Sequence, residues 1–422
     1  MPLETRLPGA RRALALLLAI NLFNYIDRYI LAALEPEIRK ALFAPNDPDA
    51  MAKTGALATV FLVSYMVMAP VFGWLADRSS RWMLAGVGVA VWSLASGASG
   101  LAGSFVILAL TRVFVGVGEA GYGPVAPTLI ADYFPESVRG RVLSYFYIAI
   151  PVGSALGFVF GGAVGAHWGW RWPFYLVTAP GLLLAGLCYL MPEPRKFLTD
   201  ARERISAATP FRDGLSGLLR NRSYLYNTGA MTAMTFALGG LSFWVPSYIH
   251  EYRGQPDLGQ VNTYFGAITV VAGLLATLAG GLLADRVKQR HPGGYFLVSG
   301  VGMLIAFPLT VAMLFTPFPW FWGMLFLVEF FLFFNTGPAN AALVDVTSPS
   351  IRATAFAVNI FLIHALGDAI SPPLIGAIAD RWQMNVAFLA VSGMIAIAGL
   401  LWLLGAKYLE NDMKAVAEFT ES

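Results

Sequence analysis

The sequence predicts an all-α membrane protein of about twelve transmembrane helices in two related six-helix bundles. Three observations predict it. Apolar residues make up 57% of the 422 and charged residues 13%, against roughly 45–50% and 25% in a soluble globular domain. Apolar runs long enough to cross a hydrocarbon core as helix recur from end to end. A charged hexapeptide closing the second run returns at the close of the eighth. Short alternating strands are absent from the pattern, which leaves helices as the spanning solution.

The runs place helices 1 to 12 at roughly 12–38, 54–76, 82–103, 105–130, 139–165, 172–191, 223–250, 260–284, 294–316, 319–345, 351–378 and 384–406. Arg11 and Arg12 before helix 1 imitate a secretion signal. The run nevertheless continues past Asn21, Asn24, Asp27 and Arg28 with no small-residue cleavage site, so it reads as a retained helix. Helix 4 carries Arg112, Gly116 and Glu119 on one face. Pro151 and four glycines (Gly153, Gly157, Gly161, Gly162) in helix 5, like Gly367, Pro372, Pro373 and Gly376 in helix 11, mark pliable or closely packed helices. Bulky aromatics gather in helices 7 and 10: Phe236, Phe243 and Trp244 in the first, and phenylalanines around Glu329 in the second.

The longest polar stretch, 194–222, divides a bundle at 1–193 from a second at 223–422 that ends in a short tail. Within it Phe211, Leu215, Leu218 and Leu219 share a helical face, which fits either a helix in the headgroup layer or a plain solvated linker. With the N-terminus inside, lysine and arginine divide about 20 to about 6 in favour of the inner side. That bias requires an even number of spans. It predicts a multi-pass protein of the cell (inner) membrane with both termini cytoplasmic.

Cys188 is the single cysteine, so neither an intrachain disulfide nor a cysteine metal site is available. No metal or cofactor is expected. The net charge of +3 gives no reason to expect nucleic acid. Neither a G-x-S-x-G, an H-E-x-x-H nor a Walker A pattern occurs, which argues against an enzyme and leaves a gradient as the energy source.

The halves repeat. Gly73-Trp74-Leu75-Ala76-Asp77-Arg78 at the end of helix 2 returns as Gly281-Leu282-Leu283-Ala284-Asp285-Arg286 at the end of helix 8, and Asp132 and Arg139 return as Asp345 and Arg352. Parallel six-helix repeats predict two bundles flanking a central path. The first hexapeptide resembles the loop signature of the major facilitator superfamily, with Ser79, Ser80, Arg81 and Trp82 departing from its later part. Arg112-x-x-x-Gly116 with Gly118-Glu119-Ala120 resembles the helix 4 signature of the same superfamily. Asn24-Tyr25-Ile26-Asp27-Arg28, Gly118-Glu119-Ala120-Gly121-Tyr122 and Ala126-Pro127-Thr128-Leu129-Ile130-Ala131-Asp132 are similar to blocks of its Spinster lipid transporters. Eukaryotic Spinster proteins carry longer terminal extensions than this chain, so a bacterial homologue is expected.

Ionisable residues inside spans cost about 2.5–3.5 kcal/mol each on insertion scales and usually face a cavity or a partner. Asp27 lies about 22 Å along helix 1 from Arg12 at 1.5 Å per residue, near mid-bilayer, with Asn24 on the same face. Arg112 is expected to pair with Asp27, and Asp27, Glu119 and Arg112 are the expected proton-coupling residues. Arg28 lines the cavity as a headgroup ligand or packs within the first bundle. His364 and Asp368, four apart, form either part of a proton path or a packing pair.

The resemblance implies a proton-coupled secondary transporter of amphiphilic lipids (lysolipid or sphingoid phosphate type) or drug-like molecules. The substrate residues would be Arg112, Arg28, Asn24, Tyr122, Phe236, Trp244 and Glu329. Asp77 and Arg78 would form a cytoplasmic gate latch supported by Asp132 and Arg139. The alternative is an organic-anion symporter of the same superfamily, which shares the helix 1 block. Substrate, protons and membrane lipids are the expected partners of a monomer.

Overall fold

The computed structural model describes residues 9–76, 78–134, 136–193, 217–348 and 351–421. Among the described residues, twelve helices are long and apolar enough to cross a membrane. They are helix 1 Ala10–Ala33, helix 2 Ala50–Ala76, helix 3 Arg81–Gly100, helix 4 Phe105–Tyr133, helix 5 Tyr145–Trp168, helix 6 Trp172–Tyr189, helix 7 Arg222–Tyr252, helix 8 Leu258–Lys288, helix 9 Gly294–Phe315, helix 10 Trp320–Asp345, helix 11 Thr354–Arg381 and helix 12 Met384–Val416. The expected spans are all present. Phe211 and Leu215 of the linker lie outside the described residues.

Several ends differ from expectation for local reasons. Helix 1 stops at Ala33, and a separate short helix, Glu35–Leu42, begins with Pro36 in its first turn. Proline cannot continue the preceding helix and suits a new first turn. Helix 4 breaks between Phe105–Ala120 and Val125–Tyr133, across Gly121-Tyr122-Gly123-Pro124. Helix 10 breaks between Trp320–Phe333 and Thr336–Asp345, where Gly337 and Pro338 open the second piece. Gly123-Pro124 and Gly337-Pro338 thus put corresponding breaks in corresponding helices of the two halves. Helix 11 contains a π-helical turn, His364–Asp368, and helix 12 runs on to Glu421.

The chain forms two compact units, Met1–Ala207 with Val245–Gly266, and Ala208–Trp244 with Ala267–Ser422. The end of helix 7 and the start of helix 8 thus group with the first unit. In that unit helix 1 packs along helix 5, helix 2 along helix 4, and helix 3 along helices 4 and 6. Glycine sets the closeness. A Cβ on Gly157 would stand 2.7 Å from the Ile26 carbonyl, and one on Gly118 would stand 2.5 Å from the Trp92 amide nitrogen. Phe265 of the far segment stacks edge-on against Phe158, with ring centroids 4.8 Å apart, and Asn262 donates to the Ala33 carbonyl at 3.0 Å.

In the second unit helix 9 packs along helix 12, as helix 3 packs along helix 6 in the first. Gly367 of helix 11 lies against the backbone of Thr232 and Phe236, and Gly239 of helix 7 lies against Asp368. Small residues let helix backbones approach where lipid supplies no hydrophobic drive between helices.

This packing predicts that Gly118→Val lowers the thermal unfolding midpoint in detergent, by the equivalent of roughly 1–3 kcal/mol for overpacking. Gly186→Ala, where a Cβ meets nothing within 4 Å, is expected to leave the midpoint unchanged.

Candidate functional site

Helix 1 buries one polar face. Asn21, Asn24 and Asp27 recur at three-residue spacing and are 4%, 5% and 2% exposed. Asn21 is anchored to the Phe146 carbonyl of helix 5 at 2.8 Å. Asp27 turns toward helix 3, where its Oδ2 accepts from the Ser96 hydroxyl. Its Oδ1 is buried and has no hydrogen-bond partner among the described residues.

Arg112 does not pair directly with Asp27, contrary to the expectation from sequence. Its guanidinium donates to Ser99 Oγ at 2.7 Å and, at 3.5 Å, to Ser96 Oγ, the hydroxyl that also serves Asp27. Ser99 in turn donates to Thr111 at 2.8 Å, and the Phe174 ring of helix 6 lies 5.4 Å from the Arg112 guanidinium carbon. Two helix 3 hydroxyls therefore separate the opposite charges. The signal for them was available: Ser93, Ser96 and Ser99 recur every third residue, and all three are buried.

Arg28, left open by the sequence, carries the direct ion pair. Its guanidinium meets Glu119 Oε2 at 2.5 Å, with the Arg28 side chain 24% exposed and that of Glu119 1% exposed. The Tyr25 and Phe61 rings flank the guanidinium at 5.1 and 4.9 Å. Glu119 Oε1 is buried without a hydrogen-bond partner among the described residues. Gly116, one turn before Glu119, admits helix 2: a Cβ there would run into the Phe61 carbonyl and the Ser64 hydroxyl. Tyr122 is 2% exposed, and its hydroxyl is spent on the Leu17 carbonyl at 2.8 Å, so it ties helix 4 to helix 1.

In the second unit Glu329 is 7% exposed and accepts from Thr269 Oγ1 at 3.0 Å, while its other oxygen has no hydrogen-bond partner among the described residues. Phe236 is buried beside Gly367. Trp244 is fully buried, and its indole N–H donates to the Pro372 carbonyl at 2.9 Å, which makes it a packing residue between helices 7 and 11. His364 Nδ1 lies 3.0 Å from both carboxylate oxygens of Asp368, so this pair forms directly across the π-helical turn.

Of the expected gate residues, Asp77 and the Arg139 side chain lie outside the described residues. Arg78 donates to the Trp74 carbonyl at 3.1 Å and stacks on the Trp74 ring. Asp132 pairs with Arg81, a residue the sequence reading had treated only as a departure from the loop pattern. Glu193 joins that corner, accepting from the Arg81 amide and the Ser80 hydroxyl.

Paired six-helix repeats with buried, interlinked charges inside the spans define a membrane transporter rather than an enzyme, and comparison with known proteins agrees. The model of the Major Facilitator Superfamily matches residues 17–367. Spinster homolog 3 of Danio rerio is 35% identical over 442 residues, covering 97% of this chain and 87% of its own. Human spinster homolog 1 is 38% identical, covering 90% and 75%. A sphingosine-1-phosphate transporter of Danio rerio is 32% identical, covering 94% and 84%. The solved bacterial homologue of the human lysosomal transporter Spinster superposes with a TM-score of 0.82 at 21% identity, covering 96% and 98%. The xylose transporter of E. coli superposes at 0.73 and 15% identity, covering 93% and 95%. The chain belongs to the major facilitator superfamily and, within it, to the spinster family.

The ion pair makes a stability prediction. Arg28→Ala strands a buried carboxylate and is expected to cost roughly 3–5 kcal/mol. Adding Glu119→Gln to the same chain is expected to recover most of that loss. Thermal unfolding in detergent across the four-member mutant cycle measures the coupling.

Proposed function

We propose that this transporter is proton-coupled, works by alternating access and carries amphiphilic lipids of lysolipid or sphingoid phosphate type, or drug-like molecules of similar shape. The observation that carries the reading is the double charge arrangement on helices 1, 3 and 4. Asp27 and Glu119 are each buried with one oxygen that has no hydrogen-bond partner among the described residues. Each stands against a cation, Glu119 directly against Arg28 and Asp27 through Ser96 against Arg112. A proton on either carboxyl weakens its hold on the cation. The released guanidinium is then free for an anionic headgroup. Apolar side chains such as Phe236 and the helix 10 phenylalanines around Glu329 offer surface for a tail.

Asn24, Arg28, Arg112, Glu329 and Phe236 are the proposed substrate residues; Tyr122 and Trp244 act by holding helices in place. Arg78 with Asp77, and Asp132 with Arg139, are the proposed gate elements. The name of the sphingosine-1-phosphate relative supports an anionic lipid as cargo. The lysine and arginine bias supports a cell (inner) membrane protein with cytoplasmic termini, acting as a monomer with protons, substrate and surrounding lipid as its partners.

The test is transport in proteoliposomes under an imposed pH gradient, across lysolipids, sphingoid phosphates, cationic dyes and small anions. Transport of the lipids is expected to rise with tail length and to follow the gradient. Preference for short anions, with no dependence on tail length, would turn the reading to an organic-anion symporter. Asp27→Asn is expected to abolish gradient-driven flux, by about a hundredfold if proton exchange is its role, with normal expression. Ser96→Ala is expected to lower the flux less. Unchanged flux in Asp27→Asn would remove Asp27 from the mechanism.

A further inference from the structure

A second charge cluster lies outside the site just described, on the membrane face opposite the termini, where helix 1 ends and helix 7 ends. Its centre is Glu35, a carboxylate with 0% exposure at the start of the short helix Glu35–Leu42. One Glu35 oxygen accepts from Arg39 Nε at 2.8 Å, one turn on. The other accepts from the Ser247 hydroxyl at 2.5 Å. Ser247 is itself fully buried. Nη2 of the Arg39 guanidinium binds Glu251, and Lys40 reaches the same carboxylate at 3.5 Å. The result is one unbroken chain, Ser247–Glu35–Arg39–Glu251–Lys40, in which Arg39 bridges the two glutamates through Nε and Nη2.

The helix 7 partners are firmly placed. Ser247 and Glu251 flank and occupy the π-helical turn Tyr248–Tyr252. Such turns are rare and frequently sit at functional positions. Arg253 donates to Tyr248 Oη at 3.2 Å, and His250 Nδ1 lies 2.8 Å from the Gln255 carbonyl, so these two titratable groups turn to their own segment. All the residues of the cluster belong to the first compact unit, because Val245–Gly266 is part of it. A fully buried glutamate is costly, and well-packed apolar residues in place of a buried ion pair are often as stable or more so. A merely structural contact between two helix ends is served as well by apolar packing. A charged, hydrogen-bonded contact is different, because it is strong when dry and weak once water enters.

We propose that Ser247, Glu35, Arg39, Glu251 and Lys40 form a latch that holds the end of helix 7 against the end of helix 1 and has to part for the transporter to open on the face opposite its termini. Parting breaks Ser247–Glu35 and both contacts of Glu251. Glu35–Arg39, four residues apart on one short helix, stays together and keeps Glu35 paired as water enters. The inference rests on the alternating-access reading above.

Spin-label distances test it, in a Cys188→Ala background reconstituted in nanodiscs, with and without lysophospholipid. One label pair, Glu37→Cys with Gln260→Cys, reports the face opposite the termini; both positions are exposed and outside the cluster. A second pair, Met83→Cys with Gln289→Cys, reports the terminus face. Glu251→Gln is expected to raise the long-distance population of the first pair by roughly three- to tenfold, with the second pair shortening in step. Ser247→Ala, which changes no charge, is expected to shift it in the same direction, and Glu251→Asp to stay closer to the unmodified chain. Two populations in the unmodified chain that Glu251→Gln and Ser247→Ala both leave unchanged would overturn the latch alone. A single fixed distance for both pairs in every variant and condition would overturn alternating access itself.

Discussion

The structure depends on one constraint: a charge inside a bilayer has to be answered by protein. Water is absent from the hydrocarbon core, and each ionised group left there unanswered costs kilocalories. Four such groups, Asp27, Arg28, Arg112 and Glu119, are packed into the first bundle, with Ser96, Ser99 and Thr111 supplied around them. Helix 3 contributes no charge to this network. Its serines nevertheless let Asp27 and Arg112 share an environment without touching. That separation sets this pair apart from Arg28 and Glu119, which meet directly.

The backbone packs closely around these charges. Helices 1 and 5 meet through glycines that bring Gly157 against the Ile26 carbonyl, one residue before Asp27. Helix 4 meets helix 2 at Gly116 and helix 3 at Gly118, both within the turn that ends in Glu119. In the second bundle the same device recurs at Gly239 and Gly367, beside the π-helical turn of helix 11. Close backbone contact of this kind transmits small displacements because no side chain is present to absorb them. The breaks in helices 4 and 10 fall at corresponding places, so the repeat extends beyond the charged loop to the points where helices bend.

Much of this was legible in the sequence. Twelve apolar runs gave twelve spans, since length and hydropathy alone decide whether a helix can cross a membrane. Asp27, Arg28, Arg112 and Glu119 stood out because ionisable residues inside spans are rare. Their partners were not legible. Asp27 and Arg28 are adjacent and so point about 100° apart around helix 1; only the packing of neighbours decides that the first meets Ser96 and the second meets Glu119. The serines of helix 3 carry no charge and read as ordinary small residues. The helix 10 break was hidden because Gly337 and Pro338 sit inside a run apolar enough to read as continuous. The pairing of Glu35 with Ser247 and of Arg39 with Glu251 joins residues from distant parts of the chain, and such contacts leave no trace in local pattern.

The central claim is that proton and substrate binding are linked through the cations of helices 1 and 4, a proton on Asp27 or Glu119 freeing a guanidinium for the headgroup. Calorimetry of lysophospholipid binding in buffers of different ionisation enthalpy measures the protons exchanged on binding. The account predicts a net exchange in the unmodified protein that disappears when Asp27→Asn and Glu119→Gln are combined. Binding of the lipid with no proton exchange in the unmodified protein, across the pH range in which it transports, would contradict it.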